Sequence, residues 1–162
     1  PVLDALGISS ASLHPHCTVQ VMSKPSSRLM IGVQSPDVLE SLQPKMDQLV
    51  HLTPHVGADG FFVFALKPGA DPAVTESCMF CPVLGVPEDP VSGNAHGMLG
   101  VYLVHNGLLS SESGEVRFLG QQGRFVGRPG EVDVAVVASG KRASEVRVTG
   151  DAVIVSEGVI TL

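Results

Sequence analysis

The sequence predicts an α+β domain in which a strongly curved, mixed or antiparallel sheet wraps around one central apolar helix. Three observations lead there. Strand-like segments outnumber helices and do not alternate with them as a doubly wound parallel sheet requires. The segment 95–104 has only His96 and Tyr102 as polar side chains, so a helix there has to be covered on every side. Strand-like segments also stand on both sides of it in the sequence, placed to close around it.

Each element has its own signal. Residues 2–6 read as the end of a helix closed by Gly7, so the chain opens inside a helix and reads as a piece of something longer. Residues 17–22 form a strand, paired with 28–33 across Lys24-Pro25-Ser26-Ser27 by their apolar, β-branched content. Proline at a helix start marks two short helices, 36–42 and 44–52. GFFVFAL, 60–66, is a buried strand. A loop over 68–75 leads to a strand over 76–80, which enters a polar loop through Cys81-Pro82. The central helix spans 93–106, roughly 21 Å, and ends at Gly107. Gly97 and Gly100 fall on adjacent turns. Each costs about 1 kcal/mol of helix propensity, and the expected compensation is close approach of a strand backbone. Strands follow at 115–119, 131–137, 145–148 and 152–155, separated by GQQGRFVGRPG, ASGKR and TGD, with 159–162 as one more.

Composition sets the outer limits. The 162 residues are 44% hydrophobic and 16% charged, which suits one domain, 1–162, with a packed core. With no tryptophan and 4% aromatics, that core is built from Val, Leu, Ile, Met and Ala. A net charge of −6 argues against an electrostatic grip on nucleic acid or an anionic membrane. No apolar run reaches transmembrane length and no signal-peptide pattern opens the chain. Three cysteines, an odd number, fit a reducing, cytoplasmic setting better than a disulfide framework.

The helix start carries the chemistry. Glu88-Asp89-Pro90-Val91-Ser92-Gly93-Asn94 places two carboxylates and small polar residues directly before the apolar helix. The first turn of a helix leaves N–H groups without partners. Ser92 is suited to cap one. Gly93 and Asn94 bring little bulk, so their amides, at the positive end of the helix dipole, suit a carboxylate or phosphate. The alternative is that these residues are a cap and nothing more.

The run Glu88-Asp89-Pro90-Val91-Ser92-Gly93-Asn94-Ala95-His96 resembles the EDPVTGSAH-type motif of the PhzF-like phenazine-biosynthesis family, which has the diaminopimelate-epimerase-like fold. Gly120-Gln121-Gln122-Gly123-Arg124 and Gly127-Arg128-Pro129-Gly130 resemble the same family's G-x-Q-G…G-R-x-G hairpin. Ala5-Leu6-Gly7-Ile8 is similar to the segment between the family's two lobes. The resemblance covers about 52–162 and implies the C-terminal lobe of a two-lobe protein, with the active site between lobes. By that resemblance Asp89 contacts the substrate and helps to handle a proton. Ser92, Gly93, Asn94, Ala95 and His96 surround the substrate carboxylate, which the Gly93 and Asn94 amides hold. The main acid/base glutamate belongs to the N-terminal lobe. Asn94 stands where phenazine-pathway members carry serine. No cysteine lies in the loop, which disfavours a thiolate-based two-base racemisation.

Other groups have plainer readings. Cys78 and Cys81 have zinc-like spacing, but positions i and i+3 of a strand point to opposite faces, so no metal site is expected. His96 reads either as a ligand contact or as a hydrogen-bonded core histidine. Arg124 and Arg128 reach either an acidic substrate or solvent. The leading expectation is part of a cofactor-independent isomerase or epimerase that moves a proton on a small carboxylate-bearing substrate. Its partners would be the N-terminal lobe of the same protein and a second copy in a homodimer. The alternative is a non-catalytic small-molecule or protein-binding domain that keeps the fold.

Overall fold

The computed structural model describes residues 1–23, 26–69, 73–110 and 114–160. In chain order they form α1 (Val2–Leu6), β1 (Gln20–Ser23), β2 (Ser27–Val33), α2 (Pro36–Glu40), α3 (Met46–Val56), β3 (Gly60–Lys67), β4 (Ala73–Cys81), β5 (Val86–Asp89), α4 (Gly93–His105), β6 (Glu115–Gln122), β7 (Gly130–Ser139) and β8 (Arg142–Thr149). One sheet runs β1-β2-β3-β4-β6-β7-β8, and β5 pairs with β4 off that path.

The two parallel pairings, β2 with β3 and β4 with β6, explain the layering. A parallel pair needs a crossover, and parallel crossovers in one sheet are right-handed in nearly all proteins. The sheet grows in one direction, but β4 runs antiparallel to β3. The same hand therefore sends the two crossovers to opposite faces. The first, through α2 and α3, covers the outer face. The second, through β5 and α4, covers the inner one. Two cores result. Leu29, Ile31, Phe61, Val63, Cys78 and Phe80 pack outward with Leu6, Leu39 and Leu49. Met30, Phe62, Phe64, Met79, Phe118, Val134 and Val136 pack inward on Leu99, Tyr102 and Leu103 of α4. Being covered on both faces, β3 reads as a near-continuous apolar run.

The sheet curls around α4 as the sequence predicts, but it does not close. Gly93, Gly97 and Val101, spaced four apart on one face of α4, line an open groove between β1 and β8. The two glycines inside the helix serve side chains rather than a strand backbone. A Cβ on Gly100 would lie 2.7 Å from Cγ2 of Val136 and 3.1 Å from Cγ1 of Val134. On Gly97 it would lie 3.3 Å from Cγ2 of Val148.

Several boundaries differ from the sequence reading. β1 begins at Gln20 rather than 17 because Cys17 turns inward onto Gly32, and the Tyr102 hydroxyl donates to the Thr18 carbonyl at 2.8 Å. The second short helix runs past Pro54 to Val56; a proline in the last turn removes one hydrogen bond without stopping the chain. β4 takes in residues expected to be loop, with Val74 and Thr75 paired to Lys67 and Leu66. β5 is a strand that polar residues and Pro87 had hidden, and an edge position tolerates that proline. No strand forms over 152–155. Residues 150–160 have no regular structure, and Val153, Ile154, Val155, Val159 and Ile160 are 81–95% exposed. A strand needs both a ladder partner and cover for its apolar side chains, and the described residues provide the tail with neither. Residues 161 and 162 of the expected last strand lie outside the described residues, as do Lys24 and Pro25 of the first loop.

The glycine geometry separates two alanine substitutions. Gly100→Ala should gain about 1 kcal/mol of helix propensity and lose about 1–3 kcal/mol to overpacking against Val136, so thermal denaturation should show a net loss. Gly97→Ala meets a half-exposed valine that has room to move, and its Tm should stay level or rise.

Candidate active site at the start of the central helix

β5 separates the two carboxylates. Asp89 pairs with Met79, so its side chain leaves the sheet on the inner face, the side of α4. Glu88, one residue away, faces outward beside Cys78. Burial raises the Glu88 pKa, with the neighbouring thiol opposing, and burial together with the Glu88 charge pushes the Cys78 thiol well up. Cys81 belongs to the inner core and Cys78 to the outer, so the pair does not converge. Among the described residues no group of three or more His, Cys, Asp or Glu side chains is arranged to hold a metal ion.

The first turn of α4 divides its amides. Ser92 Oγ accepts from the Ala95 N–H at 3.3 Å. The Ser92 carbonyl accepts from the His96 N–H at 3.1 Å. Among the described residues no protein acceptor meets the N–H of Gly93 or Asn94. Both residues line the groove, about 520 Å³ in volume, with Met22 and Ser23 of β1, Gly97, Met98 and Val101 of α4, and Val146 and Val148 of β8. It is an apolar trough with Gly93 and Asn94 at one end, where the helix dipole is positive. Asp89, partly buried, stands beside the helix start without lining the groove.

Two expected contacts are not brought to this groove. Ala95 and His96 are both 0% exposed. The Ala95 amide is spent on Ser92. The His96 Nδ1 lies 2.8 Å from the Ser92 carbonyl, an acceptor, so Nδ1 carries the proton. The ring stands edge-on to Phe62, with centroids 5.4 Å apart, and presses on Gly120, where a Cβ would overlap it. Burial lowers the His96 pKa, opposed by the Ser92 carbonyl and by the Asp89 charge. His96 is a buried core residue whose surroundings favour the neutral ring.

The hairpin after β6 holds the acidic loop from behind. Gly123, at φ 85°, leaves room for the Pro90 carbonyl; a Cβ would stand 2.6 Å from that oxygen. A Cβ on Gly130 would stand 2.6 Å from Cγ2 of Val91. Gln122 reaches the same loop: its Oε1 accepts from Ser92 N–H at 3.2 Å, and its Nε2 donates to the Asp89 carbonyl at 2.5 Å. Sequence reasoning passed over Gln122, although its place between two glycines of the hairpin motif was the available signal. Arg124 is committed elsewhere, 3.4 Å from the buried Glu76, which Lys67 also meets at 3.0 Å. Arg128 is exposed at the hairpin tip.

The His96 environment has a pH consequence. With its pKa lowered by folding, the unfolded chain binds the proton more readily. The stability from a neutral buried imidazole is therefore present above the ordinary value of 6.5 and is lost as pH falls below it. Denaturant unfolding between pH 7 and 5 should show stability falling with pH, and less steeply in His96→Phe. NMR should show His96 as the Nδ1–H tautomer, not protonating at pH 6.5.

Residues 2–158 match the family model described as phenazine biosynthesis-like protein. An uncharacterized isomerase of Clostridium acetobutylicum is 35% identical over 161 residues, covering 99% of this chain and 53% of that protein. The trans-2,3-dihydro-3-hydroxyanthranilate isomerase of Pseudomonas fluorescens is 28% identical, covering 99% of this chain and 52% of its own length. The crystal structure of a predicted epimerase from Pseudomonas aeruginosa superposes with a TM-score of 0.64 at 27% identity, over 96% of this chain and 51% of that one. The chain thus spans about half the length of the curated relatives it matches. No helix among the described residues is long and apolar enough to cross a membrane. By its family match and by a sheet curled around a motif-bearing helix, this chain belongs to the phenazine biosynthesis-like protein family, whose matched relatives are named isomerases.

Proposed function

We propose that this chain forms one half of a cofactor-independent isomerase, in which the start of α4 holds the carboxylate of a small substrate and Asp89 assists a proton shift. The observation that carries this reading is that Gly93 and Asn94, whose amides meet no protein acceptor among the described residues, line an apolar groove, with Asp89 on the same side of the sheet. Two N–H donors at a helix N-terminus match a carboxylate, and the apolar walls suit the carbon skeleton. The isomerase names of the relatives support the reaction class. The main acid/base then comes from an N-terminal lobe of the same protein, and a cytoplasmic homodimer completes the proposal.

A second reading, a domain that binds a small acid without turning it over, draws on Asp89 standing beside the groove rather than in its wall. Asp89→Asn separates the two. The change is nearly isosteric and should leave Tm almost unmoved. In the two-lobe protein, assayed first with trans-2,3-dihydro-3-hydroxyanthranilate, turnover should fall by roughly 10²-fold if Asp89 moves a proton. Unchanged turnover would make Asp89 a helix-entry residue only. Retained sulfate binding at the Gly93 and Asn94 amides without any isomerisation would favour the binding domain.

A further inference from the structure

The segment from Asp89 to Ser92 joins a strand to the helix start, and its own hydrogen-bonding capacity is small. Pro90 has no N–H. Among the described residues, two side chains from outside the segment bond to its backbone: His96 reaches only the Ser92 carbonyl, whereas Gln122 at the end of β6 reaches both ends of the segment. Its side chain is buried, with 2% of the residue exposed. The two ends of its carboxamide are both spent on this segment: the oxygen on Ser92 N–H and the nitrogen on the Asp89 carbonyl. The flanking Gly123 fits the Pro90 carbonyl and Gly130 fits Val91, so the segment is gripped at all four residues.

We propose that Gln122 is the positioning residue of this site: by bridging the Asp89 carbonyl and the Ser92 amide it sets where Asp89 stands relative to the helix start. By occupying the Ser92 N–H it also leaves the Gly93 and Asn94 amides as the first donors open to a ligand. The proposal rests on the anion-holding reading above. Its chemistry is specific. The bridge needs one donor and one acceptor on a single planar group. An ionised glutamate offers only acceptors, a methionine of similar length offers neither, and a protonated glutamic acid offers both again.

That difference supplies the test. Sulfate, a dianion across the range used, is titrated into the intact protein while the Gly93 and Asn94 amide resonances are followed, for wild type, Gln122→Met and Gln122→Glu, between pH 7.5 and 5. The nearest titratable groups are Asp89 and His96, with Glu76, Lys67, Arg124 and Glu131 around the cavity that Gln122 also lines. All three proteins share them, so each variant is read against wild type at the same pH. Both variants should bind sulfate at least tenfold more weakly at pH 7.5. Gln122→Glu should return to within about threefold of wild type as its carboxyl takes up a proton, and Gln122→Met should not. A folded Gln122→Met that binds sulfate as wild type does would overturn the proposal. So would a Gln122→Glu whose deficit is the same at every pH, and this arm decides alone should the methionine variant fail to fold. If sulfate leaves the wild-type Gly93 and Asn94 resonances unmoved, the anion-holding reading has failed. Hydrogen exchange at the Ser92 amide then decides the positioning role: faster exchange in Gln122→Glu than in wild type at pH 7.5, narrowing on acidification, upholds it, and equal exchange rejects it.

Discussion

A helix with no polar side has to be enclosed, and this fold is organised by that constraint. α4 presents Ala95, Leu99, Tyr102 and Leu103 in one direction and Met98 and Val104 in others, all buried. No single flat sheet face covers such a circumference. The sheet curls instead, so that β1, β6, β7 and β8 all touch the helix. Gly100 makes the tightest contact possible, since any side chain there would collide with Val136. The outer helices follow from the same topology. Once a crossover occupies the inside of the curl, the other one, of the same hand and joining strands of opposite direction, falls on the outside.

Enclosure creates a difficulty at the N-terminus, where a buried helix has to begin without stranding its first amides. The chain resolves it unequally. Ala95 is capped by Ser92, the Ser92 amide is met by Gln122, and the next two amides are left to the mouth of the groove. Sealing them in the core unpaired would cost about 1–3 kcal/mol each. Leaving them at an opening costs little, and it is these two donors that the proposed anion site would use. The polar loop before an apolar helix is thus the place where a largely covered element begins at an opening.

What the sequence makes legible, and what it does not, divides along physical lines. The apolar run of α4, the GFFVFAL strand and the last hairpins are read directly because periodicity and burial agree there. β5 was hidden because Val86-Pro87-Glu88-Asp89 has neither alternation nor apolar content; only pairing with β4 makes it a strand. The tail fails in the opposite sense: Val153-Ile154-Val155 has every local mark of a strand, yet ladder partners and cover are tertiary properties that local pattern does not contain. At the candidate site, cap chemistry leaves Gly93 and Asn94 open between a plain cap and an anion site, and only the family resemblance favours the second. His96 was left open between ligand and core because its face depends on Gly120 and Phe62, which are distant in sequence. Gln122 went unnoticed for the same reason, its partners lying 30 and 33 residues away.

That Asp89 stands on a strand rather than in a loop bears on chemistry. Adjacent residues of a strand face opposite ways, so one short element puts two neighbouring carboxylates into different media. Glu88 sits against Cys78 on the outer side, where burial favours its protonated form. Asp89 sits on the helix side, next to the positive end of α4. A loop would let the two exchange places and would blur both environments. The pairing of Asp89 with Met79 forbids that exchange, and the hairpin behind it holds the Asp89 carbonyl through Gln122. The carboxylate nearest the open amides is therefore fixed by backbone geometry at both ends, by a ladder on one side and a side-chain amide on the other. The proposed proton shift at Asp89 would need that kind of placement, because proton transfer depends on hydrogen-bond reach before it depends on pKa.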